Sequence, residues 1–123
     1  MANKRILLAD DEEDIKTVIS MFLRSQGYDV VTAFDGLDTL EKVRTERPDL
    51  ILLDIMMPVL DGYEVCKRLK EDAATADIPI LILSAAAHIE SVNRGLRAGA
   101  KDYIVKPFDP EKLLEKIEHV IGH

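Results

Sequence analysis

Asp10, Asp11, Asp54, Ser84 and Lys106 are the residues of this chain whose types and spacing suit chemistry, because each lies where a short apolar run ends. The runs are Arg5-Ile6-Leu7-Leu8-Ala9, Leu50-Ile51-Leu52-Leu53, Ile80-Leu81-Ile82-Leu83 and Tyr103-Ile104-Val105. If one sheet delivers these ends to a common rim, three carboxylates crowd together there. Crowded carboxylates repel unless they are protonated or neutralised, and a hard divalent cation with oxygen ligands is the usual remedy. The spacing therefore predicts a Mg²⁺ site at Asp10, Asp11 and Asp54. A hydroxyl (Ser84) and an ammonium (Lys106) facing the same carboxylates suit a dianionic phosphoryl group. Asp54 could then attack phosphorus as a carboxylate nucleophile and become an aspartyl phosphate, the equatorial charge being spread by Mg²⁺, Lys106 and Ser84. Each residue alone has an ordinary alternative. Asp11 can cap a helix, Asp54 and Ser84 can start turns, and Lys106 can be solvated or simply pair with Asp54. The set carries the reading, not any member of it.

The elements that must position these groups are legible as two periodicities. The apolar runs, bounded by charge, Pro or Gly, read as buried parallel strands, with Tyr28-Asp29-Val30-Val31-Thr32 as a further strand. Between them Ile15, Val18, Ile19, Phe22 and Leu23 recur at helical spacing and predict one buried stripe. Asp35-Gly36 opens a helix carrying Leu37, Leu40 and Val43, which Pro48 ends. Further helices follow Gly62 (Val65, Cys66, Leu69), run through Ile89, Val92 and Leu96 to Gly99, and start at Pro110 (Leu113, Leu114, Ile117, Ile121). Five strand-helix alternations imply an α/β fold. Right-handed crossovers then give a parallel sheet covered on both faces, with ligands at the carboxyl ends of its strands.

Length and charge narrow the function. The 123 residues fit one domain, 1–123, and 47% hydrophobic content suffices to cover a sheet on both sides. A net charge of −7 argues against nucleic-acid binding by this chain alone, since that needs a concentrated basic surface. No apolar stretch is long enough for a membrane span, and Met1-Ala2-Asn3-Lys4-Arg5 runs into a strand, so the expected setting is cytoplasmic. The single cysteine, Cys66, reads as a buried structural thiol. His88, His119 and His123 are too dispersed for a zinc site.

Together with this pattern, the acidic pair Asp10-Asp11, the segment Asp54-Ile55-Met56-Met57-Pro58-Val59-Leu60-Asp61-Gly62, Ser84 followed by Ala85, and Gly99-Ala100-Lys101-Asp102-Tyr103-Ile104-Val105-Lys106-Pro107-Phe108 resemble the receiver domain of bacterial two-component response regulators, the chemotaxis-Y-like superfamily. The resemblance spans essentially the entire chain. It implies a flavodoxin-like, doubly wound five-stranded parallel sheet of order 2-1-3-4-5 with five helices. It implies a phosphorylation-activated switch in which Asp54 accepts a phosphoryl group from a histidine kinase or phosphotransfer protein. By the same resemblance Asp11, Asp54 and the backbone carbonyl of Met56 hold Mg²⁺, Asp10 acts through a coordinated water, and Ser84 and Lys106 hold phosphoryl oxygens. Tyr103 matches the family's switch aromatic, which turns inward when Ser84 is drawn toward the phosphoryl group and so alters the face of the fourth helix, fifth strand and fifth helix. The resemblance also favours a cis Lys106-Pro107 bond. The implied partners are a kinase and either a downstream target or an output domain of a longer protein. A phosphorylation-dependent dimer stays open, because Lys101-Asp102 stands where dimerising relatives often have two acids.

Rival readings keep their place. A Mg²⁺-dependent phosphatase or phosphotransferase with Asp54 as nucleophile would want a second acid at position 56, which is Met56. A nucleotide or flavin binder lacks a Gly-rich loop after the first strand. A docking module that is never phosphorylated would have no use for intact Asp11, Asp54 and Lys106. Met56 and Ala86, two residues beyond Asp54 and Ser84, cannot orient an attacking water and predict a long-lived phosphoryl group. Arg94, Arg97, Lys101 and Lys116 predict a partly basic face suited to an acidic partner surface.

Overall fold

The computed structural model describes residues 3–85 and 88–122. Five strands, β1 (Arg5–Ala9), β2 (Asp29–Ala33), β3 (Leu50–Asp54), β4 (Ile80–Ala85) and β5 (Asp102–Lys106), alternate with five helices, α1 (Glu13–Ser25), α2 (Gly36–Glu46), α3 (Gly62–Glu71), α4 (Ile89–Arg97) and α5 (Pro110–Ile121). All strand pairs are parallel and the order is β2-β1-β3-β4-β5, as the resemblance implied. The switch point between β1 and β3 is where a doubly wound sheet opens a crevice.

The central strands read as unbroken apolar runs because helices cover both of their faces. Ile6, Leu8, Leu50, Leu52, Leu81 and Leu83 point to the side packed by Ile19 and Leu23 of α1 and Leu113 and Ile117 of α5. Leu7, Ile51, Leu53, Ile80 and Ile82 point to the side packed by Val43 of α2, Val65, Cys66 and Leu69 of α3 and Val92 of α4. Each fully buried Leu or Ile contributes roughly 1.5–3 kcal/mol relative to exposure. Cys66 is buried as expected.

Helix starts follow from local chemistry. Asp35 accepts the Asp38 N–H, Asp61 the Glu64 N–H and Asp109 the Glu111 N–H, each carboxylate satisfying a donor that the first helical turn leaves free. α1 departs from the sequence reading in two ways. Its N-cap is Glu12, with no side-chain cap, so Asp11 is not its capping residue. Val18 is 60% exposed instead of buried, whereas Lys16 and Ser20 are inside. The row Ile15, Ile19, Leu23 faces the core, and Val18 lies off it, on the side turned toward Pro107, Phe108 and Pro110 across a groove of about 590 Å³.

Candidate functional site

Parallel strands end at the same rim, and their tips bring most of the expected groups together. Asp10, directly beyond β1, is fully buried, and its backbone N–H is held by Ala33 at 3.2 Å. Asp54 closes β3 and pairs in register with Leu83 of β4. Carboxylate oxygens of Asp10, Asp11 and Asp54 lie within 4.8 Å of one another. The Lys106 ammonium reaches this cluster from the end of β5, donating to Asp10 Oδ2 at 2.8 Å and to Asp54 Oδ2 at 3.4 Å.

Electrostatics follow from that placement. Burial pushes the Asp54 carboxyl up to about 7, with the charges of Asp10 and Asp11 pushing the same way, while the Met56 N–H, 3.1 Å from Oδ1, and the Lys106 charge oppose it. Burial alone would lower the Lys106 pKa, but the hydrogen bond to Asp10 and the charges of Asp54, Asp10 and Glu12 raise it. The ammonium stays charged. One lysine facing three aspartates leaves a surplus of negative charge and several free oxygen lone pairs, and this donor set fits a hard divalent cation.

Two backbone devices fix the tip of β3. A Cβ on Gly62 would lie 2.7 Å from both the Asp54 carbonyl oxygen and Ile55 Cα, so only glycine lets α3 start this close, with its N–H bonded to Ile55 at 2.9 Å. Val59 has φ +70 at the centre of a three-residue turn closed by Leu60 N–H to the Pro58 carbonyl at 2.8 Å, a γ-turn geometry that is strained for a β-branched residue.

Not every expected group converges. Ser84 is fully buried, and its hydroxyl donates to the Ala85 carbonyl at 3.0 Å, with no bond to the carboxylates. Tyr103 is half-buried, packed against the α2-α3-α4 side of the core. The Lys106-Pro107 bond is cis. Ala86 lies outside the described residues. Glu12, absent from the sequence-derived site, stands 3.6 Å from the Lys106 ammonium, and its N–H donates to Asp10 Oδ1 at 2.9 Å. Its only sequence signal was the acidic run that follows β1. On the expected basic face, Arg94 stacks 4.1 Å over the Tyr63 ring and Lys116 pairs with Asp102 at 2.9 Å.

Residues 6–118 match the model of the response regulator receiver domain. The chain belongs to that family. This receiver is 45% identical over 119 residues to the alkaline phosphatase synthesis transcriptional regulatory protein PhoP of Bacillus subtilis, covering 97% of the chain and 49% of PhoP. It thus spans about half the length of the curated relatives it matches. Among solved structures, a putative response regulator from Chloroflexus aurantiacus superposes with a TM-score of 0.93 at 32% identity, over 99% of this receiver and all of that chain. The receiver domain of the sensor histidine kinase PA1611 of Pseudomonas aeruginosa superposes with a TM-score of 0.90 at 35% identity, over 99% of this receiver and 100% of that chain; its structure has a magnesium ion coordinated in the active-site cleft. Receivers act as phosphorylation-driven signalling switches and not as conventional enzymes. Among the described residues no helix is long and apolar enough to cross a membrane.

Proposed function

We propose that residues 1–123 form one receiver unit that takes a phosphoryl group onto Asp54 from the phosphohistidine of a cytoplasmic histidine kinase or phosphotransfer protein. The observation that carries this reading is the meeting of three aspartate carboxylates under the Lys106 ammonium at the tips of β1, β3 and β5. An Asp54 oxygen attacks phosphorus, the P–N bond breaks, and the imidazole leaves with the electron pair. Asp11, Asp54 and the Met56 carbonyl are the groups that would hold Mg²⁺, with Asp10 acting through water. The ion would supply positive charge for the carboxylates and for the phosphoryl oxygens.

Lys106 is already at the acceptor, so it needs only a small displacement to pair with a phosphoryl oxygen. Ser84 must turn from the Ala85 carbonyl to donate to another, and that rotation is the event Tyr103 would answer by moving inward. The output is then a change in the face of α4, β5 and α5, read by a target protein, by an output domain, or by a second copy. Exposed Met56 offers no group to orient a hydrolytic water, consistent with a slowly decaying phosphoryl group.

Intact-mass spectrometry after incubation with Mg²⁺ and acetyl phosphate tests the acceptor. A single phosphoryl adduct is expected, absent in Asp54→Asn and in EDTA. An adduct that persists in Asp54→Asn would move the chemistry to another residue.

A further inference from the structure

The side of α1 turned to β2 buries polar groups. Lys16 and Ser20 are 6% and 4% exposed, and they stand at i, i+4 spacing in one row with Arg24. With Glu13, Thr17 and Thr32 these residues line a cavity of about 220 Å³. Two of the groups lack a settled partner. Among the described residues, Ser20 Oγ is the one buried side-chain oxygen or nitrogen with no hydrogen-bond partner. A serine inside a helix turns to solvent or bonds the carbonyl four residues back, and this hydroxyl does neither. The Lys16 ammonium is paired with Glu13 Oε1 at 2.8 Å, but the Glu13 side chain is 79% exposed against 7% for Lys16. A buried ammonium is thus matched by one carboxylate that solvent can take back.

We infer that this cavity is a binding site for a phosphate-type oxyanion, free phosphate or a phosphomonoester, held by Lys16 and Ser20. The donors argue for that class. They are an ammonium with N–H groups beyond the one facing Glu13, a buried hydroxyl without a partner, the Thr17 and Thr32 hydroxyls, and the Arg24 guanidinium, whose Nη2 already donates to the Val30 carbonyl at 3.0 Å. A tetrahedral dianion offers acceptors to several of these at once, and charge-assisted bonds of this kind are the strong ones. At about 30 Å³ per water-sized group the cavity takes one such anion, and it is smaller than the roughly 300–1,000 Å³ of sites for drug-sized ligands. Glu13 is the one acid lining it, and entry of the anion swings that side chain out into the solvent where most of it already stands. None of these residues belongs to the acceptor cluster, so the site stands whether or not Asp54 takes a phosphoryl group.

Amide chemical shifts test the site while inorganic phosphate, and separately glycerol 3-phosphate, is added to the metal-free wild-type chain in EDTA at constant ionic strength. Saturating shifts centred on Lys16, Ser20 and Thr32 are expected, with a midpoint of about 1–10 mM. Lys16→Met should weaken binding roughly tenfold or more and Ser20→Ala about threefold, whereas Glu13→Gln, which removes the competing carboxylate, should tighten it. The probe with the lower midpoint tells free phosphate from a phosphomonoester. Shifts that stay linear to about 50 mM with both probes leave the cavity to water and overturn the inference. Saturating shifts centred elsewhere, or one midpoint shared by wild type, Lys16→Met and Ser20→Ala, overturn it too. Should Lys16→Met fail to fold, Ser20→Ala and Glu13→Gln still decide, because a midpoint that neither of them moves excludes this site.

Discussion

The Lys106 ammonium donates to Asp10 at 2.8 Å, joining a side chain that is 13% exposed to one that is fully buried. Removing one partner of such a pair leaves the other as an uncompensated buried charge, a loss on the order of 3 kcal/mol. Lys106→Met should therefore lower the metal-free urea midpoint substantially, while Lys116→Met, at the half-exposed pair with Asp102, should cost well under 1 kcal/mol. Equal effects from the two would contradict the burial argument.

Asp54 governs the pH dependence. Its folded-state pKa of about 7 lies above the ordinary 3.8, so the folded state binds the proton more tightly than the unfolded chain does. The associated stability is fully present below pH 4 and is lost as pH rises through 7, with a slope of up to about 1.4 kcal/mol per pH unit in between. Unfolding of the metal-free protein from pH 5 to 9 should show this decline, and Asp54→Asn should flatten it and stabilise the protein at pH 8. Parallel profiles for the two proteins would assign the dependence to another group.

Much of this site was readable from residue order because strand ends are marked twice, by the close of an apolar run and by the charge that follows. Asp10, Asp54 and Lys106 met as expected for that reason. The helix face was read less well: Val18 and Ile19 are both apolar on α1, yet only Ile19 is buried, because the width of the stripe is set by what packs on it. Ser84 was placed correctly on β4, but its hydroxyl bond to Ala85 depends on a rotamer that no spacing encodes. The turn at Val59 was invisible for the converse reason, since a β-branched residue is the last to suggest a positive φ.

That turn supplies a further prediction. Val59 is largely exposed, so its side chain loses little on removal, and Val59→Gly relieves the backbone strain at some cost in unfolded-chain entropy. A net gain of about 0.5–1 kcal/mol in the urea midpoint is expected, with no such gain from Val59→Ala, which keeps the Cβ.

Gly62 should tolerate nothing larger. A methyl group there meets the Asp54 carbonyl oxygen and the Ile55 backbone, both part of β3's end, so Gly62→Ala should cost about 1–3 kcal/mol. It should also slow Asp54 labelling by acetyl phosphate, because relief of the clash moves the acceptor's own peptide. A variant that is destabilised but labels at the wild-type rate would separate packing from acceptor geometry.

Lys106 belongs to β5, an outermost strand of the sheet, yet its two shortest charge contacts lie at the tips of β1 and β3, with β4 in between. One flexible side chain thus works as a drawstring across four of the five strands. Each charge added or removed at the middle of the sheet changes the tension on that string, and the strand it is tied to has a neighbour on one side only. The molecule is in this sense lopsided by construction: the margin at β5 is tied by charge to the centre of the sheet, while β2 at the opposite margin is joined by an ion pair, among the described residues, to its neighbour β1 through Asp29 and Arg5 at 3.8 Å.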